Sequence, residues 1–162
     1  MKLIRAGRTS FVFGLDRNEK EVLFQVLKLY PLVPASHQRL TRAGDPSTPD
    51  ENQALLEQAL EEKRRENRGH VLALLQEPAR FRETKAGFRF TLTPPEINWL
   101  LQVLNDVRVG AWLALDEPDE IHLPPLTADN ARFVMAMQAA GFFEAHLLSG
   151  LGVDHPANYG DA

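Results

Sequence analysis

The segment from Asn105 to Arg108, with the sequence Asn-Asp-Val-Arg, places three polar residues inside a run of otherwise apolar residues that continues to Trp112. On a helix, Asn105 and Arg108 are three residues apart and share a face, while Asp106 points about 100° away from Asn105. An arginine can bind a carboxylate or a phosphate, and an asparagine can read an amide. The pattern therefore predicts a site for an anionic small molecule formed by Asn105, Asp106, Arg108 and Trp112.

The same segment also permits a structural interpretation. Polar side chains within an apolar helix must be exposed or hydrogen-bonded, and most such groups satisfy neighbouring backbone or a nearby acid. Arg108 would then be a clamp that ties the helix to a neighbouring segment, with no ligand involved. No histidine or nucleophilic side chain lies within one helical turn of Asn105 to Arg108. A catalytic role for this segment is therefore not expected, and both structural and binding roles stay open.

Residues with metal-binding or catalytic chemistry elsewhere are scattered along the chain. There is no cysteine, which excludes thiolate nucleophiles and cysteine metal sites. No His-x-x-x-His pair, Gly-x-Ser-x-Gly elbow or phosphate loop is present. The acidic residues between 116 and 120 precede a histidine, but a solvated acidic loop accounts for them. We therefore expect no metal, no cofactor and no catalytic residue. The five histidines considered are His37, His70, His122, His146 and His155.

Composition and charge restrict the class of partner. The 162 residues carry a formal net charge of −4, whereas generic nucleic-acid binding needs a basic face, although a local basic patch is compatible with an acidic total. The basic residues between 63 and 68 are interleaved with Glu61, Glu62 and Glu66, which is typical of i,i+4 pairing on a helix. No window approaches 18 consecutive apolar residues, and the first residues lack the apolar core of a signal peptide. We therefore expect a cytoplasmic protein that binds neither nucleic acid nor membranes.

The elements that must position the Asn-Asp-Val-Arg segment occur twice along the chain. Residues 87–107 match residues 10–30 at a constant offset of 77, with eight identities in 21 positions. In each copy, apolar residues alternate at period 2, which is typical of a half-buried strand. A capping-box spacing follows in both copies, Asp16 with Glu19 and Thr93 with Glu96, and then an apolar helical stripe. Shared strand-to-helix sequence patterns without an ancestral duplication are the alternative explanation.

The repeat predicts an α+β fold in a single domain, residues 1–162, with two pseudo-symmetric ββαα halves at 1–77 and 78–154. The four strands should form one small antiparallel sheet covered by helices, with the strands at 11–15 and 88–92 side by side. Apolar residues surround the helix at 93–115 almost completely, which predicts a buried central helix. The Pro-rich connection at 31–48 is long for a compact domain, which is typical of a functional or mobile loop.

The second half of the chain resembles a bacterial family of unknown function. That family carries a Leu-[Ser/Thr]-x-x-Glu pattern followed by Asn-Asp-[Leu/Val]-Arg on one helix, and its members are often encoded near a Clp protease adaptor. The resemblance implies a link to regulated proteolysis and no established activity. The positions that match the pattern are Leu92, Thr93, Glu96, Leu100, Asn105, Asp106, Val107 and Arg108.

Two functions from different classes follow from these observations. The first is a non-enzymatic binding or regulatory module with a protein partner, linked to regulated proteolysis by the resemblance. The alternative is an anion-binding protein or enzyme with its site at Asn105, Asp106, Arg108 and Trp112. The pattern does not specify an oligomeric state.

Overall fold

The computed structural model describes residues 1–34, 50–119 and 123–152. Its elements follow the predicted order of strand, strand, helix, helix, twice. In chain order they are β1 (Lys2–Ala6), β2 (Phe11–Leu15), α1 (Arg17–Lys28), α2 (Asp50–Gln76), a short 3-10 turn (Pro78–Arg80), β3 (Phe81–Thr84), β4 (Gly87–Leu92), α3 (Pro94–Ala114) and α4 (Ala131–Gly150).

The four strands form one antiparallel sheet in the order β1-β2-β4-β3. The α+β prediction is confirmed, as is the prediction that residues 11–15 and 88–92 are neighbours in one sheet. Phe13 pairs with Phe90, Phe11 pairs with Leu92, and Leu15 pairs with Phe88. Phe13 and Phe90 are 77 residues apart, so they occupy equivalent positions in the two halves, and they pair with each other. The register therefore stays the same when each residue is replaced by its equivalent in the other half. The common ancestry of the halves stays a prediction.

The two helices that follow the central strands begin at the predicted capping boxes. At α1, Asp16 Oδ1 accepts from the Glu19 N–H at 2.8 Å, and Glu19 Oε2 accepts from the Asp16 N–H at 2.8 Å. At α3, Glu96 Oε2 accepts from the Thr93 N–H at 2.7 Å. These bonds satisfy N–H groups that a helix leaves without a partner at its start. They therefore fix the residue at which each of the two helices begins.

The core lies between one face of the sheet and the helices α1, α3 and α4, with α3 and α4 packed along each other. Phe13 and Phe90 are fully buried, whereas Phe11 and Phe88 are partly buried at its margin. The Phe81 ring stacks on Phe90 with centroids 4.6 Å apart. Aromatic rings from three strands therefore form the centre of the sheet face.

The prediction that α3 is buried all round is wrong on one side. Its apolar residues are buried, but a polar strip along one side of the helix remains exposed. The helix is central to the core and still reaches the surface along that strip. The exposed residues of this strip are Asn98, Gln102, Asn105 and Arg108.

Within the described residues, no helix is long and apolar enough to cross a membrane. The middle of the long 31–48 connection, from residue 35, lies outside the described residues, as do residues 120–122 and 153–162.

Truncation of either paired phenylalanine tests the central register. Phe13→Ala and Phe90→Ala should each lower the free energy of unfolding by about 3–5 kcal/mol, because each leaves a cavity in a packed core. Phe142→Ala is the matched control: Phe142 is exposed on α4 and should cost less than about 1 kcal/mol. Urea denaturation measures all three. Equal effects at positions 90 and 142 would contradict the assigned core.

Candidate functional site

Asp106 holds the segment that follows α1. Its Oδ1 accepts hydrogen bonds from the N–H groups of Leu32 at 2.6 Å and Val33 at 3.2 Å. From α2, Arg64 donates to the Val33 carbonyl at 2.8 Å and lies 4.0 Å from Asp106 Oδ2. The carboxylate thus satisfies two partly buried backbone donors and faces a cation. Asp106, and not Arg108, is the structural clamp of this helix.

Gly110 makes room for the same segment. It lies one helical turn beyond Asp106 on the same side of α3. A Cβ at position 110 would lie 2.5 Å from the Leu32 carbonyl carbon and 2.7 Å from the Val33 nitrogen, so any larger residue collides with backbone. Asp106 and Gly110 therefore act together, one as the hydrogen-bond acceptor and the other as the space into which the segment fits.

The contact between α2 and α3 has a polar section. Asn67 is 3% exposed, and its Nδ2 donates to Gln102 Oε1 at 3.4 Å. Its Oδ1 has no partner among the described residues. Beside it, burial raises the pKa of Tyr30, and the hydrogen bond to Asn67 opposes that shift. The loss of apolar residues midway along α2 reflects this inward-facing polar section, formed by Arg64 and Asn67.

Arg108 lies on the opposite side of α3 from Asp106, about 200° around the helix axis. Its Nε is 2.9 Å from Glu144 Oε2 on α4, and its Nη2 donates to Asn105 Oδ1 at 3.1 Å. The Arg108 side chain is 46% exposed and that of Glu144 is 14% exposed. Burial raises the pKa of Glu144, while Arg108 acts to lower it. Asn105, Arg108 and Glu144 thus form one surface cluster across α3 and α4.

Trp112 borders a groove that Arg108 also lines. The indole Nε1 donates to the Pro118 carbonyl at 3.0 Å, which ties the turn after α3 to the helix. The groove has a volume of about 690 Å³, and its apolar wall includes Trp112, Met137 and Gly141. Of the four predicted site residues, Asn105, Arg108 and Trp112 are therefore on one side of α3. Asp106 lies on the other side and takes no part in the groove.

The outward face of α4 is a feature that the sequence pattern did not single out. Within α4, which the structure describes in full, Arg132 and Glu144 are the charged residues, and Glu144 faces Arg108. The outward face carries Met135 at 38% exposure and Phe142 at 41% exposure. Between and beyond these two residues, at helical spacing, it carries Gln138, Ala145 and Ser149. We call this set of residues the α4 face. A helix with apolar residues on all sides is normally buried, so this exposure is unusual.

Across residues 1–34, 50–119 and 123–152, no three histidine or acidic side chains are grouped so as to hold a metal ion. His37, His122 and His155 lie outside those ranges. His70 stacks on Trp99 at 5.2 Å, and His146 Nδ1 lies 2.8 Å from the Phe142 carbonyl.

Comparison of the chain with protein-family models, with curated proteins and with solved structures gives no match in any of the three. The resemblance to the family with the Asn-Asp-x-Arg helix stays a prediction.

The different roles of Asp106 and Arg108 can be measured directly. Asp106→Ala should cost about 2–3 kcal/mol in the free energy of unfolding, because it removes an ionised acceptor from two backbone donors. Arg108→Ala should cost about 1 kcal/mol or less, because it removes a pair whose arginine is nearly half exposed. Urea denaturation of both variants is the measurement. A larger loss in Arg108→Ala than in Asp106→Ala would reverse the assignment of the clamp.

Two glycine substitutions test the space beneath the Leu32–Val33 segment. Gly110→Ala should destabilise the protein by about 1–3 kcal/mol, because its Cβ overlaps backbone that is itself held by Asp106. Gly69→Ala, on α2, meets nothing within 4 Å and should stabilise by about 0.5–1 kcal/mol through helix propensity. Thermal unfolding measures both variants. A Gly110→Ala protein that melts at or above the temperature of the unmodified protein would mean that the Leu32–Val33 segment does not pack on Gly110.

Proposed function

We propose that this protein is a non-enzymatic binding module that docks a protein partner on the α4 face. The observation that carries the proposal is the chemistry of that face: Met135 and Phe142 are exposed on a helix whose one carboxylate is already paired with Arg108. Exposed apolar residues rimmed by uncharged polar ones are typical of interaction sites. Phe142, as an aromatic residue at the centre of the face, is the expected anchor.

The partner should present an uncharged apolar surface to this face. Arg132, exposed one turn before Met135, offers a counter-charge at that end of the face alone. A charge that the partner brought against Phe142 would be desolvated without one, which costs free energy. The groove beside Trp112 continues the same apolar surface on one flank of α4 and can accept a protruding side chain. The resemblance to a family encoded near a Clp adaptor makes components of that machinery the first partners to titrate.

A second candidate function is binding of a small anionic ligand in the groove. It is favoured by one observation, that Arg108 and Trp112 line the same groove. It ranks second because Arg108 already contacts Glu144 and Asn105, so an incoming anion must replace a carboxylate that is already in place. Asp106 does not belong to that site.

Substitution of the anchor tests the first function. Phe142→Glu should abolish capture of a partner from native lysate and weaken binding of the purified partner by at least about tenfold, because it places a charge at the centre of an apolar contact. Leu72→Glu is the matched control, since Leu72 is 56% exposed and lies on α2, away from α4. The readouts are quantitative mass spectrometry of captured proteins and a titration with the purified partner.

The two variants must first show the same thermal stability as the unmodified protein. A set of captured proteins that is identical for the unmodified protein, Phe142→Glu and Leu72→Glu would refute docking on the α4 face.

A further inference from the structure

The sheet has one face against the helices and one face that no described helix covers, which we call the open face. Strand periodicity assigns the residues of each face. Phe13, Phe81 and Phe90 face the core, so their neighbours along the strands point the other way. On β1, Leu3 lies near Gly150 of α4, while Ile4 and Lys2 lie beside Gly14. The open face therefore consists of Lys2, Ile4, Arg5, Val12, Gly14, Arg82, Thr84, Arg89 and Thr91.

The charged residues of this open face are all cations. Lys2, Arg5, Arg82 and Arg89 are exposed, and none of them forms an ion pair with a described residue. Glu83, the carboxylate of β3, points to the helix side, where Arg17 binds it at 3.0 Å. A protein of net charge −4 thus keeps an unneutralised basic surface, because net charge averages over faces that differ.

The register aligns three of these cations in one row across all four strands. Lys2 pairs with Gly14, Gly14 with Arg89, and Arg89 with Arg82. Three strand spacings make this row about 14 Å long. Arg82 and Arg89 are direct cross-strand neighbours, an arrangement that destabilises a sheet when like charges have no anion between them. The row is therefore costly in the free protein and suited to a bound anion.

Gly14 leaves the middle of the row without a side chain. A depression of about 650 Å³ lies there, and Lys2, Gly14, Thr84 and Arg89 contribute to its lining. Asp16 and Glu19 also line the depression. Both are hydrogen-bonded at the start of α1, and Glu19 also pairs with the Met1 amine. Neither carboxylate forms an ion pair with a cation of the row.

We propose that the open sheet face binds the phosphate backbone of single-stranded nucleic acid. One class of single-strand binding module uses the open face of a four-stranded antiparallel sheet with helices behind it, whereas peptides add to sheet edges. On this face the cations, and not aromatic residues, would make the contacts. Two adjacent guanidinium groups fit phosphate oxygens, which accept paired hydrogen bonds. The face carries no aromatic side chain among its described residues, so bases are not stacked and binding has little sequence preference. This surface lies on the side of the sheet away from the helices, and the proposal is independent of the α4 face.

Fluorescence anisotropy with a labelled single-stranded DNA of mixed sequence, about 20 nucleotides long, tests the proposal. If four cations contact phosphates, the slope of log K against log salt is about −2.8, a loss of about 50-fold in affinity between 50 and 200 mM salt. The Arg82→Gln/Arg89→Gln double variant should bind at least about tenfold more weakly at 50 mM salt, with the slope reduced to about −1.4.

Arg65→Gln is the control for loss of a positive charge, because Arg65 is exposed on α2, and its affinity should stay within about twofold of the unmodified protein. The double variant should melt at the same or a higher temperature, because it removes the Arg82–Arg89 repulsion. A failure to bind at 50 mM salt would overturn the proposal. Equal binding by the double variant, or tighter binding of polyglutamate or of anionic lipid vesicles than of the DNA, would also overturn it.

Discussion

The pairing of β2 with β4 is the contact on which the rest of the structure depends. It joins the two hairpins into one sheet and places Phe13 opposite Phe90 at the centre of the core. Because the two strands are antiparallel, they end at opposite ends of the sheet, so α1 and α3 enter from opposite directions and both cover the same face. No described helix covers the other face. The aromatic core on one side and the basic surface on the other are two results of one register.

The halves differ where α3 continues past the point at which α1 ends. At the repeat offset, Lys28 corresponds to Asn105, so α1 stops where the Asn-Asp-x-Arg segment begins. The chain after α1 is no longer helical, and it packs on Asp106 and Gly110, which both lie in the extension of α3. The extension of α3 in the second half thus supplies the surface on which the segment after α1 in the first half packs. On the other side of the same extension, Arg108 bonds to α4, which holds the long helix against its neighbour.

Local patterns predicted most of the fold, because the interactions they encode are local. Alternating phenylalanines indicated the central strands, and capping boxes located the starts of α1 and α3 to the residue. At α4, Thr127 exchanges hydrogen bonds with Asn130 in the turn before the helix. The partners of Asp106 could not be predicted from local patterns, because Leu32 is 74 residues away and contributes only its backbone N–H. The basic row was equally hidden: Lys2, Arg82 and Arg89 are aligned by strand pairing and by nothing in their own sequence neighbourhoods.

The separation of the two central strands along the chain also affects how the protein is made. During synthesis β1 is available to pair with β2 as soon as β2 is made. The other edge of β2 stays unpaired until β4 is made, and β4 lies 77 residues further along the chain. At about 5–20 residues per second, a ribosome needs about 4–15 s to add those residues. Throughout that time the nascent hairpin carries an unpaired edge and an uncovered row of phenylalanines, features that favour association with other chains. Folding is therefore tied to the completion of the second half, and a chain truncated before β4 should be a substrate for chaperones.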